Sequence, residues 1–280
     1  TTRGIALRIK RPSRTWSQHI AMRVARLVSS GMDLGLSGRT ALVTGASKGI
    51  GLGIARALAA EGAKVAVSSR SRERIDAAAR AIGVRGYVHD SGDPDSAPAL
   101  VEAAENDIGP IDILVTNTGG PPPGADPLGF TREQWEAAYR TLVLSPMALV
   151  ARVMPGMRQR RFGRVLGVSS SAAREPIPVL MLSNAHRSGL LAAFKTLARE
   201  VAADGVTVNS VLPGRIATDR IVETSGSLEA AQRWAQEQVP ARRLGTVEEF
   251  GAVATFLCSE PAGYVTGATL LVDGGLTQSI

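Results

Sequence analysis

The sequence predicts an α/β fold, a doubly wound parallel sheet of about seven strands with helices on both faces. Three observations lead there. Short apolar, β-branched runs alternate with segments of helical spacing, the pattern of right-handed βαβ crossovers. The runs are apolar throughout, as strands covered by helices on both sides must be, and do not alternate with polar residues. A glycine-rich turn joins the first strand to the first helix.

The elements follow in order. Thr40–Thr44 (TALVT) is the first strand, and Ile50–Glu61 follows with helical spacing at Ile50, Ile54, Ala57 and Leu58. Gly62 stands where a helix-ending glycine belongs. Lys64–Ser69 is the second strand, followed by a charged helix from Arg72 to about Ala81. Arg85–His89 is the third strand, with a helix from Pro94 to Asp107 behind it, and Ile111–Thr116 is the fourth. A long helical region covers Thr131–Arg160, with breaks expected near Pro146 and Pro155. Arg164–Ser169, a strong helix over Ser188–Ala203, Thr207–Leu212 and Leu270–Val272 complete the pattern. Between the last two strands, Arg215–Arg243 offers an amphipathic, mixed-charge helix.

Residues 32–280 read as one domain, with no internal repeat, low-complexity tract or linker. The net charge of +7 does not belong to it. Residues 1–31 hold Arg3, Arg8, Lys10, Arg11, Arg14, Arg23 and Arg26 and no acid. Of 32 basic residues that leaves 25, equal to the 25 acidic ones. A neutral body without a basic stripe gives no electrostatic footprint for nucleic acid. The basic stretch is expected to lie outside the fold, as an extension upstream of a functional start at Met32; a transit peptide and a membrane-surface or partner-binding arm are the other readings. Cys258 is the single cysteine, which precludes an internal disulfide and suits a reducing, cytoplasmic setting. No run of about 18 apolar residues argues for a membrane span. Three scattered histidines and one cysteine make no zinc set, and no metal is expected.

The most informative motif is Thr44-Gly45-Ala46-Ser47-Lys48-Gly49-Ile50-Gly51, set between strand and helix. Gly45 permits a sharp turn and Gly49 a close approach of backbone to a pyrophosphate. Gly51 allows tight helix-to-strand packing, while the helix N-terminus offers N–H groups and the positive end of its dipole. With the strand before it, the helix after it and a second strand beyond, this is a Rossmann-type dinucleotide turn. The second strand ends Ser68-Ser69-Arg70. An acid there would bond a ribose 2′-hydroxyl; an arginine suits a 2′-phosphate, so NADP is favoured over NAD. Lys48 would add a second cation, whereas a solvated or helix-capping Arg70 is the bland alternative.

These residues resemble the short-chain dehydrogenase/reductase family over about Leu36–Leu276. Thr44–Gly51 matches the family's glycine motif, and Asn117-Thr118-Gly119-Gly120 its segment after the fourth strand, with Thr118 in place of a small residue. Asp90 stands where the family contacts adenine. Pro213-Gly214, Ile216 and Thr218 match the segment around the nicotinamide carboxamide. Tyr264-Val265-Thr266-Gly267 and Val272-Asp273-Gly274-Gly275 match the C-terminal signature. The branch it looks most like is that of the 3-oxoacyl-(acyl carrier protein) reductases. That resemblance implies NADPH-dependent reduction of a small or carrier-linked carbonyl, or alcohol oxidation in reverse. It also implies a homotetramer or homodimer built through the helices at Thr131–Arg160 and Ser183–Ala203.

The chain departs from the family at the chemistry. Ser170 matches the substrate-orienting serine, but the tyrosine position is Ser183, the lysine position Arg187 and the preceding asparagine position Leu142. A serine hydroxyl is a far weaker acid than a phenol, and arginine cannot relay a proton as lysine can. Arg187 is the candidate to hold the nicotinamide ribose and stabilise an oxyanion, with Ser170 and Ser183 as the other catalytic candidates. Water or His186 remains as a proton source, although His186, adjacent to Arg187, does not share a helix face with Ser183. Pro121-Pro122-Pro123 stiffen a strut that is either a substrate wall or only a rigid loop. Three readings stay open: a reductase with an altered proton donor, a dinucleotide binder without turnover (a sensor or partner subunit), and non-redox chemistry on the same fold.

Overall fold

The computed structural model describes residues 32–279, and the expectations for residues 1–31 lie outside them. Seven strands form one parallel sheet in the order β3-β2-β1-β4-β5-β6-β7. They are β1 (Thr40–Val43), β2 (Lys64–Ser69), β3 (Arg85–Val88), β4 (Ile113–Thr116), β5 (Gly163–Val168), β6 (Val206–Pro213) and β7 (Thr269–Val272). Strand order reverses between β1 and β4, and a crevice opens outside the carboxyl ends of strands at such a point. Val43, the last residue of β1, pairs with Val67 and with Val115, two residues before the end of β2 and one before that of β4, so the loops that follow all three open on the same side, at that crevice.

Inner strands are buried along their whole length, TALV in β1, ILVT in β4 and GRVLGV in β5, but not wholly apolar: Thr40, Thr116 and Arg164 lie buried among them, Arg164 bonding the Gly163 and Ser259 carbonyls. The edge strands β3 and β7 are only partly covered, so the expectation of uninterrupted burial holds for the sheet interior and not its rims. On one face, Leu42, Leu114, Val165 and Val208 pack against α3 (Ala97–Ile108), α5 (Ser145–Arg160) and α6 (Met181–Val201), through Val101, Leu149, Val153, Met157 and Phe194. Each such side chain contributes about 1.5–3 kcal/mol on full burial. The opposite face carries α1 (Gly49–Ala60) and α9 (Val247–Leu257), whose Gly53 and Gly251 let the two helices touch backbone to backbone.

α2 (Arg72–Ile82) starts at a Ser71 cap, α4 (Arg132–Tyr139) and α9 at capping boxes of Thr131/Gln134 and Thr246/Glu249, and α8 (Leu228–Gln238) at Ser227. Each cap is worth about 1 kcal/mol. The short α7 (Asp219–Ser225) precedes α8.

Four elements differ from the sequence expectation: the single amphipathic helix expected within 215–243 is two, α7 and α8, parted at Gly226, and three others follow. The region 132–160 runs on without the two proline breaks. A π turn at Arg140–Leu144 absorbs the missing N–H of Pro146 just before α5, and Pro155 lies inside α5. By length and mean hydropathy (1.2) this run is apolar enough to cross a membrane, but its apolar residues pack into the sheet core. α6 begins at Met181, seven residues before the expected start at Ser188, and so carries Ser183 and Arg187 on one face. α9 was not foreseen at all, although its capping box precedes an apolar run.

Candidate active site

The glycine turn is braced from inside the protein. Thr44 Oγ1 donates to the Asn117 carbonyl and accepts from the Asn117 N–H, both at 3.0 Å, and Asn117 Nδ2 donates to the Gly45 carbonyl at 2.9 Å. The loops after β1 and β4 are thereby locked together across the switch point. Gly45 sits at φ +59° with no room for a Cβ beside the Asn117 carbonyl. A Cβ on Gly51 would lie 2.5 Å from the Gly45 carbonyl oxygen and 2.7 Å from Asn117 Nδ2. With every side chain removed at its tightest points, the turn leaves the first N–H groups of α1 facing the crevice, a cradle that fits a pyrophosphate.

Around this turn the expected cofactor contacts fall into two groups. Arg70 lies exposed at the end of β2 and makes no hydrogen bond or ion pair among the described residues. The cap of α2 is Ser71, which accepts from the Arg74 N–H, so capping does not occupy Arg70. Asp90 is exposed beyond β3 and accepts from the Gly92 N–H at 2.9 Å. Gly119 has open space where a side chain would be, and Ser47 lies half-buried in the turn.

Other expected contacts turn inward. Lys48 is not a spare cation: its ammonium meets Asp219 at 3.1 Å and Glu223 at 3.5 Å on α7, which raises its pKa chiefly through the Asp219 hydrogen bond. The amide of Asn117 is used by the turn itself. Ile216 is a buried side chain against Gly245, while its carbonyl accepts from Thr218 Oγ1 at 3.4 Å. Gly214 packs against Asp273, and its N–H bonds the Val272 carbonyl, continuing β6 beyond Pro213. Thr218 reaches back over the turn, its Cγ2 lying 3.4 Å from the point where a Cβ on Gly49 would stand. A cleft of about 210 Å³ lies between Lys48, Gly49, Thr218, Asp219 and Val247.

Ser183 and Arg187 form one unit on α6. Arg187 Nε donates to Ser183 Oγ at 3.1 Å, Nη1 to the Val168 carbonyl at 3.1 Å and Nη2 to the Thr118 carbonyl at 3.5 Å. The guanidinium therefore ties α6 to the ends of both β5 and β4. Both side chains are buried, and burial together with the neighbouring charge of Arg220 pushes the Arg187 pKa down to about 10. It remains a cation at neutral pH. Because Ser183 Oγ accepts from that cation, its own O–H is left to donate and is polarised to do so. Ser170, just past β5, accepts from the Ala172 N–H at 3.2 Å and likewise keeps its hydroxyl proton available.

His186 points elsewhere. Its Nδ1 lies 2.7 Å from the Leu182 carbonyl, and its ring packs against Trp135 and Tyr139 of α4 at 5.3 and 6.0 Å. That is a helix-to-helix contact. Leu142, in the π turn, is buried and brings no polar group. The three tyrosines lie elsewhere: Tyr87 bonds Asp107, Tyr139 faces His186, and Tyr264 is fully exposed. The proline strut is pinned by Gly124 N–H to the Val179 carbonyl, and Gly124 packs on Phe130. Arg220 and the Val168 and Thr118 carbonyls were not foreseen, since nothing local to their sequence says that α7 and two strand ends converge on Arg187. Among the described residues no cluster of metal-ligating side chains occurs.

Comparison with known proteins places the fold among oxidoreductases. A family model described as enoyl-(acyl carrier protein) reductase matches residues 45–277. Dehydrogenase/reductase SDR family member 4 of Sus scrofa is 36% identical over 275 residues, 96% of each chain. The 3-oxoacyl-[acyl-carrier-protein] reductase FabG of Escherichia coli is 36% identical, covering 87% of this chain and 99% of the relative. The crystal structure of L-sorbose reductase from Gluconobacter frateurii, complexed with NADPH and L-sorbose, superposes with a TM-score of 0.83 at 33% identity. It covers 89% of this chain and all of that one.

Proposed function

The chain belongs to the short-chain dehydrogenase/reductase family of oxidoreductases, and from that premise we propose that it reduces a carbonyl with NADPH, using Ser183 and Arg187 in place of a phenol and an amine. The observation that carries this reading is the Ser183–Arg187 hydrogen bond at 3.1 Å beneath the loop that follows β4.

Gly45, Ser47, Gly49, Ile50 and Gly51 would hold the pyrophosphate through backbone N–H groups, and Arg70 the 2′-phosphate. Asp90 would meet the adenine. Gly119, Asn117, Pro213, Gly214, Ile216 and Thr218 would frame the nicotinamide, several of them through backbone alone. Arg187 has N–H groups left for the nicotinamide ribose. When bound, the cofactor supplies the hydride that reduces the carbonyl carbon. Ser170 orients the carbonyl oxygen by donating to it. Ser183 gives its proton to that oxygen as negative charge develops, and Arg187 holds the Ser183 oxygen and its charge in place. Such a donor is weaker than a phenol, so turnover is expected to be slow relative to relatives that have one. Assembly as a homotetramer or homodimer through the 132–160 and 181–201 helices, and a cytoplasmic setting, belong to the same proposal.

The test is a titration with NADPH and NADH, followed by the fluorescence of the bound nicotinamide. Micromolar binding with a preference for NADPH is expected, and Arg70→Ala should remove most of that preference, about tenfold or more for a lost charge-assisted contact. Failure to bind either nucleotide rejects the oxidoreductase reading. A dinucleotide binder without turnover is the second reading, favoured by the fact that no tyrosine stands beside Ser183 and Arg187: Tyr87 bonds Asp107, Tyr139 faces His186 and Tyr264 is fully exposed. It stands if Ser183→Tyr with Arg187→Lys creates carbonyl reduction in a protein that otherwise has none.

A further inference from the structure

We propose that the crevice at the carboxyl ends of the strands selects a carbonyl compound bearing a free carboxylate close to its carbonyl, held between the guanidinium groups of Arg187 and Arg220 above Gly120. This rests on the reductase reading and names its substrate class: a free oxo acid, not a neutral thioester.

The two cations converge on one point. A position one bond above the Gly120 backbone lies 3.6 Å from Arg220 Nη2 and 4.0 Å from Arg187 Nη2. Gly120 has no side chain, so this position is open to a ligand atom. Among the described residues neither guanidinium has an ion pair. The acids on the same short helix as Arg220, Asp219 and Glu223, are engaged by Lys48.

Arg187 is buried, and a second guanidinium converging on its outer edge is unfavourable unless an anion joins the two. Arg187 pays most, since it is buried and all three of its protein partners are neutral oxygens. A guanidinium has five N–H groups, and these contacts leave some of them unused. A planar carboxylate matches the guanidinium fork and would neutralise the pair. Because Arg187 also bonds Ser183, an anion on its free edge lies near the proton donor. That proximity is why the carboxylate must sit close to the carbonyl. A thioester presents no charge there.

The competing anions are the phosphates of the dinucleotide, so the test is made on protein saturated with NADP⁺. Calorimetric titration with acetoacetate and with acetoacetamide compares two ligands that differ by the charge. Acetoacetate is expected to bind at least about tenfold more tightly, the scale of one charge-assisted contact. Arg220→Gln should reduce that preference to less than about threefold, and Arg220→Lys should keep most of it. Equal affinities, a preference for the amide, no binding of either ligand, or a preference that survives Arg220→Gln would each overturn the proposal. A preference seen without NADP⁺ and abolished by it would overturn it too, assigning the pair to the cofactor. Failure of NADP⁺ itself to bind is a different result, which rejects the underlying reductase reading.

Discussion

The two ends of the cleft are finished differently. At the glycine turn, Thr44, Asn117 and Gly45 satisfy one another through three hydrogen bonds near 3.0 Å, and glycines remove every atom that would press on them. At the Ser183–Arg187 end, two arginines converge on an open position, and two serine hydroxyls keep protons that no protein group takes. The contrast has a physical reading. A backbone cradle must be rigid before its ligand arrives, because a pyrophosphate is recognised by the shape and dipoles of the main chain. A reacting site must keep donors unspent, because its stabilisation is wanted only when charge develops on the substrate.

The largest effect is expected at the closed end. Gly51→Val adds atoms where even a Cβ lies 2.5 Å from a carbonyl and 2.7 Å from the amide that braces the turn. Neither neighbour is the free end of a flexible side chain. The turn must open, costing roughly 1–3 kcal/mol or more of stability and the cradle with it. Thermal unfolding and NADPH titration should therefore fall together. A variant that keeps wild-type affinity would mean that the turn is soft and the contrast unfounded.

At the open end, activity and stability should separate. Arg187→Met keeps the bulk and removes the charge. Turnover is expected to drop on the order of 10²- to 10³-fold, as for loss of one preorganised donor at a reacting oxygen. Stability should hardly follow. Losing the bond to the Val168 carbonyl costs about 1–3 kcal/mol, but removing a buried cation without a carboxylate offsets much of it. Steady-state rates beside an unfolding curve decide the matter: a collapse of both would make Arg187 a structural strut.

What the sequence disclosed follows the same divide. The phosphate turn was legible because its logic is local: strand, three glycines and helix occur within a dozen residues, and each glycine's task can be named from spacing alone. The inner strands were legible for the same reason, their apolar runs needing no knowledge of partners. Ser183 and Arg187 could be located by counting from Ser170, but not what they bond, since the Val168 and Thr118 carbonyls come from other strand ends. Arg220 was invisible, lying in a mixed-charge stretch with nothing local to set it apart. The π turn at Arg140–Leu144 was misread as a break because Pro146 signals a missing N–H without saying how the helix will absorb it. Only α9 was missed with its signal in view, the Thr246/Glu249 box.

The smallest effect gives the finest test of where the closed end stops. Lys48 stands inside the glycine turn, and the sequence made it a second cation for a 2′-phosphate. In the fold its ammonium is drawn to Asp219 and Glu223, with all three side chains largely exposed. Exposed ion pairs contribute about 0–1 kcal/mol and weaken with salt. Lys48→Ala should then leave the unfolding midpoint almost unmoved and change NADPH affinity less than about fivefold, an effect of at most ~1 kcal/mol. Arg70→Ala, by contrast, should remove the preference for NADPH over NADH. A larger loss of NADPH affinity for Lys48→Ala, absent with NADH, would mean that the lysine leaves its acids for the 2′-phosphate. Asp219 and Glu223 would in that case be released as the nucleotide binds. α7, which carries Arg220, would then respond to occupancy of the turn, and the two ends of the cleft would be coupled through Lys48.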